Sequence, residues 1–445
     1  MNLKKVLILT ISLISAFSLF AQDADTEAFQ AKVDAATQLI SDFDAASAQA
    51  LLDEVLAQDS TFAPALYAYH EIELMFGNLT EAQTKVREAI EYSPSEQSYR
   101  DRFDELRDLI NQVKDAQREV DSQNYEAAKR IYNELIQANP TIAETYYRLG
   151  FVAIQENDYD EARDNFDKAS ILAPTVEKYT KAKNILAGKI LQEATASLRM
   201  NDIITAERKA KTALRINSEF GSAYGLLGYI KLKQGDIGSA LENYEKAVEY
   251  NPSSRSAWYN LGSTYRRTKQ YEKAEKALLK AIEIEPSYAK SYTTLGQVYL
   301  ALNEPKKAEE NLKTSIALSP NSAAARESYG ELLNNQERYT EAIVHLSEAT
   351  KLITNPVKKY QTNYRLAFAY NRSNEHRKAL DTAREVTMAK ASFGGGWFEL
   401  GIAYAKLGDK QNAINAFNKG RLDAKWRGMI DPERERLIQG KELSF

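Results

Sequence analysis

The sequence predicts an all-α solenoid, a stack of short helix–turn–helix repeats. Three observations predict it. Prolines recur at a fixed interval: Pro252, Pro286 and Pro320 are 34 residues apart, and so are Pro140 and Pro174. One small residue keeps a single offset along the chain, as Ala48, Ala82, Ala128, Ala162, Ala206, Ala240, Ala274, Ala308, Ala342, Ala379 and Ala413. Helix breakers are scarce, with 10 prolines and 19 glycines in 445 residues, which favours long helical content. A length of 445 residues would otherwise suggest about three globular domains. A fixed period makes the repeat, not the domain, the unit of the fold.

Taken in order, the first segment reads as an address. Lys4 and Lys5 precede an apolar run from Val6 to Phe20, and Ala21-Gln22 offers a small residue for cleavage. This is the pattern of a secretory signal peptide over 1–21. The alternative is an uncleaved anchor helix, but the run falls short of the roughly 20 residues that span a bilayer. No second long apolar run follows, so no transmembrane segment is expected after cleavage. There is no cysteine, which excludes disulfides, thiolate metal sites, thiol nucleophiles and a lipid anchor on cysteine.

The repeat is clearest from Arg255, which reads Trp258, Leu261-Gly262, Tyr265, Ala274, Leu278, Ala281 and Pro286. The next, from Ala289, carries Tyr292, Leu295-Gly296, Tyr299, Ala308, Leu312, Ser315 and Pro320. Trp258, Leu261 and Tyr265 are spaced by three and four, one face of a first helix. Ala274, Leu278 and Ala281 mark one face of a second. Gly262 allows close helix approach, and Pro286 prevents continuation. Each pair cannot bury its apolar face alone and must stack on its neighbours.

This pattern resembles the tetratricopeptide repeat family, whose unit has this length and signature. The resemblance implies a right-handed superhelix. The register gives eleven repeats, starting at Phe29, Ala63, Leu109, Ala143, Ala187, Gly221, Arg255, Ala289, Ala323, Tyr360 and Gly394. Spacing breaks at three inserts: Gln97 to Asp108, Glu177 to Leu186 and Val357 to Lys359. The two long inserts lack Gly and Pro, so each is read as a longer first helix of about three turns, with a separate short helix as the alternative. Asp431-Pro432-Glu433 reads as the start of a capping helix. The resulting organisation is a signal peptide over 1–21, repeats with longer helices over 22–186, a repeat array over 187–427, and a capping helix and tail over 428–445.

The resemblance also implies that first helices line a groove in which ligands lie. The family's inward offsets place Tyr147, Phe151, Tyr229, Tyr259, Tyr364, Phe368 and Phe398 there, with the basic residues Arg148, Arg266, Arg267, Lys290, Arg365 and Arg372. Aromatic and Arg side chains commonly anchor protein interfaces; the same aromatics could instead pack between helices. A clamp for a partner's C-terminal carboxylate, known in the family, is rejected. Only Asn260 and Lys290 match it, while Gly225, Tyr229 and Thr294 occupy the other positions.

Charge and chemistry narrow the function further. Formal net charge is −4, unlike the basic footprint of a nucleic-acid binder. The three histidines, His70, His345 and His376, are too scattered for most metal sites. Gly394 to Gly396 lacks the Lys-Ser or Lys-Thr of a phosphate loop and reads as a flexible joint. Repeats and inserts from Phe29 to Arg427 leave no room for a catalytic domain. The expectation is a non-catalytic interaction scaffold without cofactor or metal, exported to the periplasm or outer membrane of a bacterium. It would hold protein or peptide partners in its groove. The alternative is an envelope polysaccharide or peptidoglycan binding or assembly factor.

Overall fold

The computed structural model of the chain describes residues 25–444; the expected signal peptide at 1–21 lies outside them. The described residues form 24 helices and no strand, and the all-α solenoid of paired helices is observed. The chain divides into two compact parts, the first ending at Ala223 and the second beginning at Tyr224.

In the first part, helix 25–41 pairs with Ala45–Gln58, and Ala63–Phe76 with Leu79–Tyr92. Gln97–Asp121 pairs with Tyr125–Ala138, and Ala143–Gln155 with Tyr159–Leu172. A single turn, Glu177–Thr180, precedes the pair Ala182–Arg199 and Ile203–Ile216. Helix Gly221–Gln234 carries the division between the parts. The second part continues with Ile237–Tyr250, then pairs Arg255–Arg267 with Tyr271–Ile284 and Ala289–Ala301 with Pro305–Leu318. It closes with Ala323–Asn335 and Tyr339–Leu352, Pro356–Arg372 and His376–Ala389, Gly394–Lys406 and Lys410–Gly420, and a last helix, Arg427–Ile438.

Packing explains the periodic residues. All eleven offset alanines, from Ala48 to Ala413, are 0% exposed, so nothing larger fits there without displacing a neighbouring helix. The Gly of the Leu-Gly pair seats the second helix of its own repeat. A Cβ on Gly262 would lie 2.7 Å from Leu278 Cγ, and one on Gly228 would lie 2.8 Å from the Tyr244 ring. The aromatic three residues into the first helix ties back to the preceding turn: Trp258 Nε1 donates to Pro252 O (2.9 Å) and Trp397 Nε1 to Ala391 O (2.8 Å). Tyr265 and Tyr299 reach the second helix of the preceding repeat, donating to Glu245 (2.5 Å) and Glu275 (2.7 Å).

A further periodic feature lies in the backbone. The turn inside every repeat holds one residue in the left-handed region, at Phe43, Gly77, Gln123, Asn157, Asn201, Gly235, Lys269, Asn303, Glu337, Asn374 and Gly408. Each is fourteen residues after its repeat's start. The turn reverses the chain within three residues, which requires φ > 0 at one of them.

Several helices start on a side-chain cap. Asp44, Asp158, Asp202, Asp236 and Asp409 each accept a backbone N–H three residues on, and Ser254 accepts from Ala257 N. Ser254→Ala is expected to cost about 1 kcal/mol through the orphaned N–H, measured as a lowered thermal midpoint; an unchanged midpoint would remove the cap from the account.

The inserts behave differently from one another. The first lengthens its helix to 25 residues, as the missing breakers predicted. The second does not form one long helix. It breaks at Lys181 (φ −94°, ψ −7°) into Glu177–Thr180 and Ala182–Arg199. The break lets Lys178 Nζ (2.9 Å) and Tyr179 OH (3.0 Å) both reach the buried Glu144 carboxylate, a specific polar tie that periodicity cannot encode. The last helix also differs from expectation. It begins at Arg427, and Pro432 lies inside it. Ile430 is fully buried and fixes the first turn, while Asp431 pairs with Arg421 (2.9 Å) and does not cap.

Candidate functional site

The residues expected to face a groove fall into three environments. Tyr147, Arg148 and Phe151 share helix Ala143–Gln155. Tyr147 is half-buried and packs edge-on against Phe151 (5.0 Å) and Tyr179 (5.2 Å). Phe151 stays 40% exposed while its ring meets Phe166 at 5.2 Å. Arg148 donates to Glu144 (2.7 Å) and Gln117 (3.0 Å) and borders a cleft of about 620 Å³ whose lining includes Lys114, Gln117 and Ile110. Burial and the Glu144 carboxylate push the Tyr179 hydroxyl far up, so it stays a donor.

Tyr229, Tyr259, Arg266 and Lys290 lie on three successive first helices and are not gathered into one pocket. Tyr229 is 41% exposed, with Lys233 Nζ 5.5 Å from its ring centroid. Tyr259 is half-buried against Tyr288 at 5.4 Å, near-perpendicular. Arg266 is half-buried and its Nε has no hydrogen-bond partner. Lys290 is exposed. Phe398 departs from the family's inward offset: it is buried against Phe417 and Trp426.

Tyr364, Arg365 and Phe368 come together on helix Pro356–Arg372, at a cleft of about 500 Å³. Residues that the aromatic and basic offsets passed over complete it: Glu331 and Asn334 from Ala323–Asn335, Phe393 from the turn before the last repeat, and Trp426 from beyond the repeats. Tyr364, Phe393 and Trp426 form a mutually edge-on trio, with centroids 5.2, 5.7 and 5.8 Å apart. Arg365 bridges Glu327 and Glu331, each at 2.9 Å. Asn334 Nδ2 donates to Arg365 O (3.0 Å), joining neighbouring repeats.

The triple glycine corrects one expectation. Gly394, Gly395 and Gly396 are all buried in the first turn of helix Gly394–Lys406, so they form a seat and not a flexible joint. A Cβ on Gly394 would lie 2.8 Å from both Gly420 O and Trp426, and one on Gly395 2.6 Å from Trp426 Cζ2. Trp426 therefore docks where side chains are absent, and that places it on the cleft.

A second feature joins helices Pro356–Arg372 and Gly394–Lys406. Asn371 Nδ2 donates to both the carbonyl (2.9 Å) and the carboxylate (2.9 Å) of Glu399. Glu399 is 1% exposed, and burial pushes its carboxyl up to about 7, partly offset by Asn371 and Arg372. The histidines build no such site. His70 is buried between Arg102 and Glu71 (3.0 Å each), and among the described residues no group of three or more His, Asp or Glu is placed to hold a metal. Among them, no helix is long and apolar enough to cross a membrane.

Comparison with known families finds tetratricopeptide repeats at residues 143–176, 226–289, 293–353 and 395–420, so the chain carries repeats of this type. Solved structures of similar fold include the Cut9-Hcn1 hetero-tetramer of APC/C (14% identity, 91% of this chain and 95% of that chain, TM-score 0.48). Others are the pilF protein of Pseudomonas aeruginosa (19% identity, 48% and 97%, TM-score 0.43) and a tetratricopeptide repeat protein from Parabacteroides merdae (18% identity, 57% and 98%, TM-score 0.41). No curated protein matches the chain.

Proposed function

We propose that the protein is a non-catalytic scaffold of the bacterial cell envelope that holds protein partners along the first helices of its repeats. Export, with a periplasmic or outer-membrane-associated location, belongs to this reading and rests on the basic and apolar pattern of 1–21. The carrying observation is the surface of successive first helices in the second part. Tyr229 is exposed there and Tyr259 and Arg266 are half-buried, Tyr and Arg being among the side chains that most often dominate protein interfaces, and Lys290 adds an exposed cation. Repeats of this kind offer long surfaces for an extended segment.

A binding comparison separates this reading from an envelope-polymer binder. Purified protein is incubated with envelope polysaccharide, with peptidoglycan and with solubilised envelope proteins, beside Tyr229→Ala and Tyr259→Ala. The scaffold reading expects a discrete protein to be retained by the unaltered chain and lost from the variants. Co-sedimentation with polymer that the same variants abolish would replace the scaffold with the polymer binder.

A further inference from the structure

We propose that three successive first helices, Gly221–Gln234, Arg255–Arg267 and Ala289–Ala301, form a docking stripe for an acidic peptide segment, one rich in Asp or Glu. The proposal rests on the protein-partner reading and names the partner's chemistry. Its first support is charge. In a chain of net charge −4, these three helices carry six cations (Lys231, Lys233, Arg255, Arg266, Arg267 and Lys290) and no carboxylate. The second helices of the same repeats, Ile237–Tyr250, Tyr271–Ile284 and Pro305–Leu318, carry eight acids and seven bases. The excess of one sign therefore belongs to the first helices alone.

The second support is that the excess is not cancelled locally. Arg255 pairs with Glu285 at 3.0 Å, and Lys231 donates to Gln234. Lys233, Arg266, Arg267 and Lys290 have no carboxylate within ion-pair distance among the described residues. The other turn acids are committed elsewhere: Asp236 accepts from Ser239 N (3.1 Å) and Glu304 pairs with Lys307 (2.6 Å). Carboxylates return only on the next first helix, Ala323–Asn335, where Glu327 and Glu331 bridge to Arg365.

The third support is that helix stability does not account for the pattern. Lys233, Arg266 and Arg267 stand in last turns and complement the helix dipole. Lys290 is the second residue of its helix, where a cation is unfavourable, and none of the three helices has an acid in its first turn. Lys233, Arg267 and Lys290 are exposed, so a ligand can reach them. Tyr229 and Arg267 both lie within electrostatic reach of the Tyr244 hydroxyl, which places one helix's exposed ring near the next helix's cation. Helices Arg255–Arg267 and Ala289–Ala301 pack on one another. An acidic segment laid across them meets cations on each, with Tyr229 and Tyr259 to receive its apolar side chains.

The test titrates the full chain at low salt with labelled, acetylated and amidated nonapeptides in which every second residue is Glu, Gln or Lys, followed by fluorescence anisotropy. The Glu peptide is expected to bind at least about tenfold tighter than the Gln peptide and to weaken with added salt. The Lys peptide should bind weakest. Replacing the three exposed cations together, Lys233→Gln with Arg267→Gln and Lys290→Gln, should cost the Glu peptide about tenfold, while Lys276→Gln on a second helix leaves it unchanged. Equal binding of Glu and Gln peptides, no binding of the Glu peptide at about 1 mM, or equal losses in the triple variant and in Lys276→Gln would overturn the proposal. Alginate oligosaccharides that bind more tightly than the Glu peptide and are lost in the triple variant would assign the stripe to an acidic polysaccharide and overturn it too. A partner trapped in cells at Tyr229 through a segment with no excess of Asp and Glu would overturn the acidic peptide and leave the scaffold reading standing. Absence of any trapped partner, with the Glu preference intact, would count against the scaffold and not against the stripe.

Discussion

Gly262→Leu is expected to lower stability by about 3 kcal/mol, at the upper end of what overpacking costs. Even a single added Cβ would lie 2.7 Å from Leu278 Cγ and 3.2 Å from the carbonyl oxygen of Ala274. Leu278 is itself fully buried, so it can move aside only by displacing the second helix of the repeat. A leucine adds three carbons beyond that Cβ, into a core that includes Tyr265, Leu295 and Tyr299. The strain therefore passes to the next repeat, because each repeat is stable only on its neighbours. The thermal transition should fall by several degrees, while an exposed change such as Lys280→Ala leaves it nearly unmoved. An unchanged transition in Gly262→Leu would contradict the register.

The second large effect is on pH dependence. The Glu399 carboxyl is pushed up to about 7 by burial, from an ordinary value of 4.5. In the unfolded chain it loses its proton near 4.5; in the folded chain it keeps it until about 7. Between these values the folded state binds more protons, so stability falls as pH rises through this window. The gap corresponds to about 3 kcal/mol, present as a penalty above pH 7 and absent below pH 4.5. Glu399→Gln keeps an acceptor for Asn371 and has no proton to lose. It should match the unaltered protein near pH 4.5 and exceed it by up to about 3 kcal/mol at pH 8, in paired denaturation curves. A difference between the two proteins that stays constant from pH 5 to 8 would exclude Glu399 as the titrating group.

Much of the fold was legible because its packing is periodic. The offset alanine reports a contact repeated in every unit, and the Leu-Gly pairs and turn prolines recur in about half of them, so one well-marked repeat such as Arg255 to Pro286 interprets the weak ones. The left-handed turn position was equally periodic. Seven of its eleven residues are Gly or Asn, a signal that Phe43, Gln123, Lys269 and Glu337 dilute. What periodicity could not show is what happens where the repeat is broken. Lys178 and Tyr179 bend an insert toward one buried carboxylate, and Trp426 finds two glycines, Gly394 and Gly395, about thirty residues upstream.

The cleft illustrates the same limit. Tyr364, Arg365 and Phe368 were found because they are aromatic or basic at inward offsets. Glu327, Glu331 and Asn334 occupy the fifth, ninth and twelfth positions of the preceding repeat, and Glu399 the sixth position of the last. They stand at the same offsets and were passed over for their residue type. Their importance depends on a neighbour: Arg365 must be present before Glu327 and Glu331 become the two ends of one bridge. Aromatic residues at inward offsets proved divided, with Tyr229 and Phe151 exposed and Phe398 buried, because a ring suits either a helix contact or a surface.

The central claim is that first-helix side chains hold a protein partner. Its most direct measurement is site-specific photo-crosslinking in the native cell, with the reactive group placed at Tyr229 or Lys290 on first helices and at Lys276 on a second helix. The account predicts that the two first-helix positions trap the same discrete protein and that Lys276, exposed on the opposite element of its repeat, does not. Equal trapping at all three positions, or trapping at Lys276 alone, would contradict it.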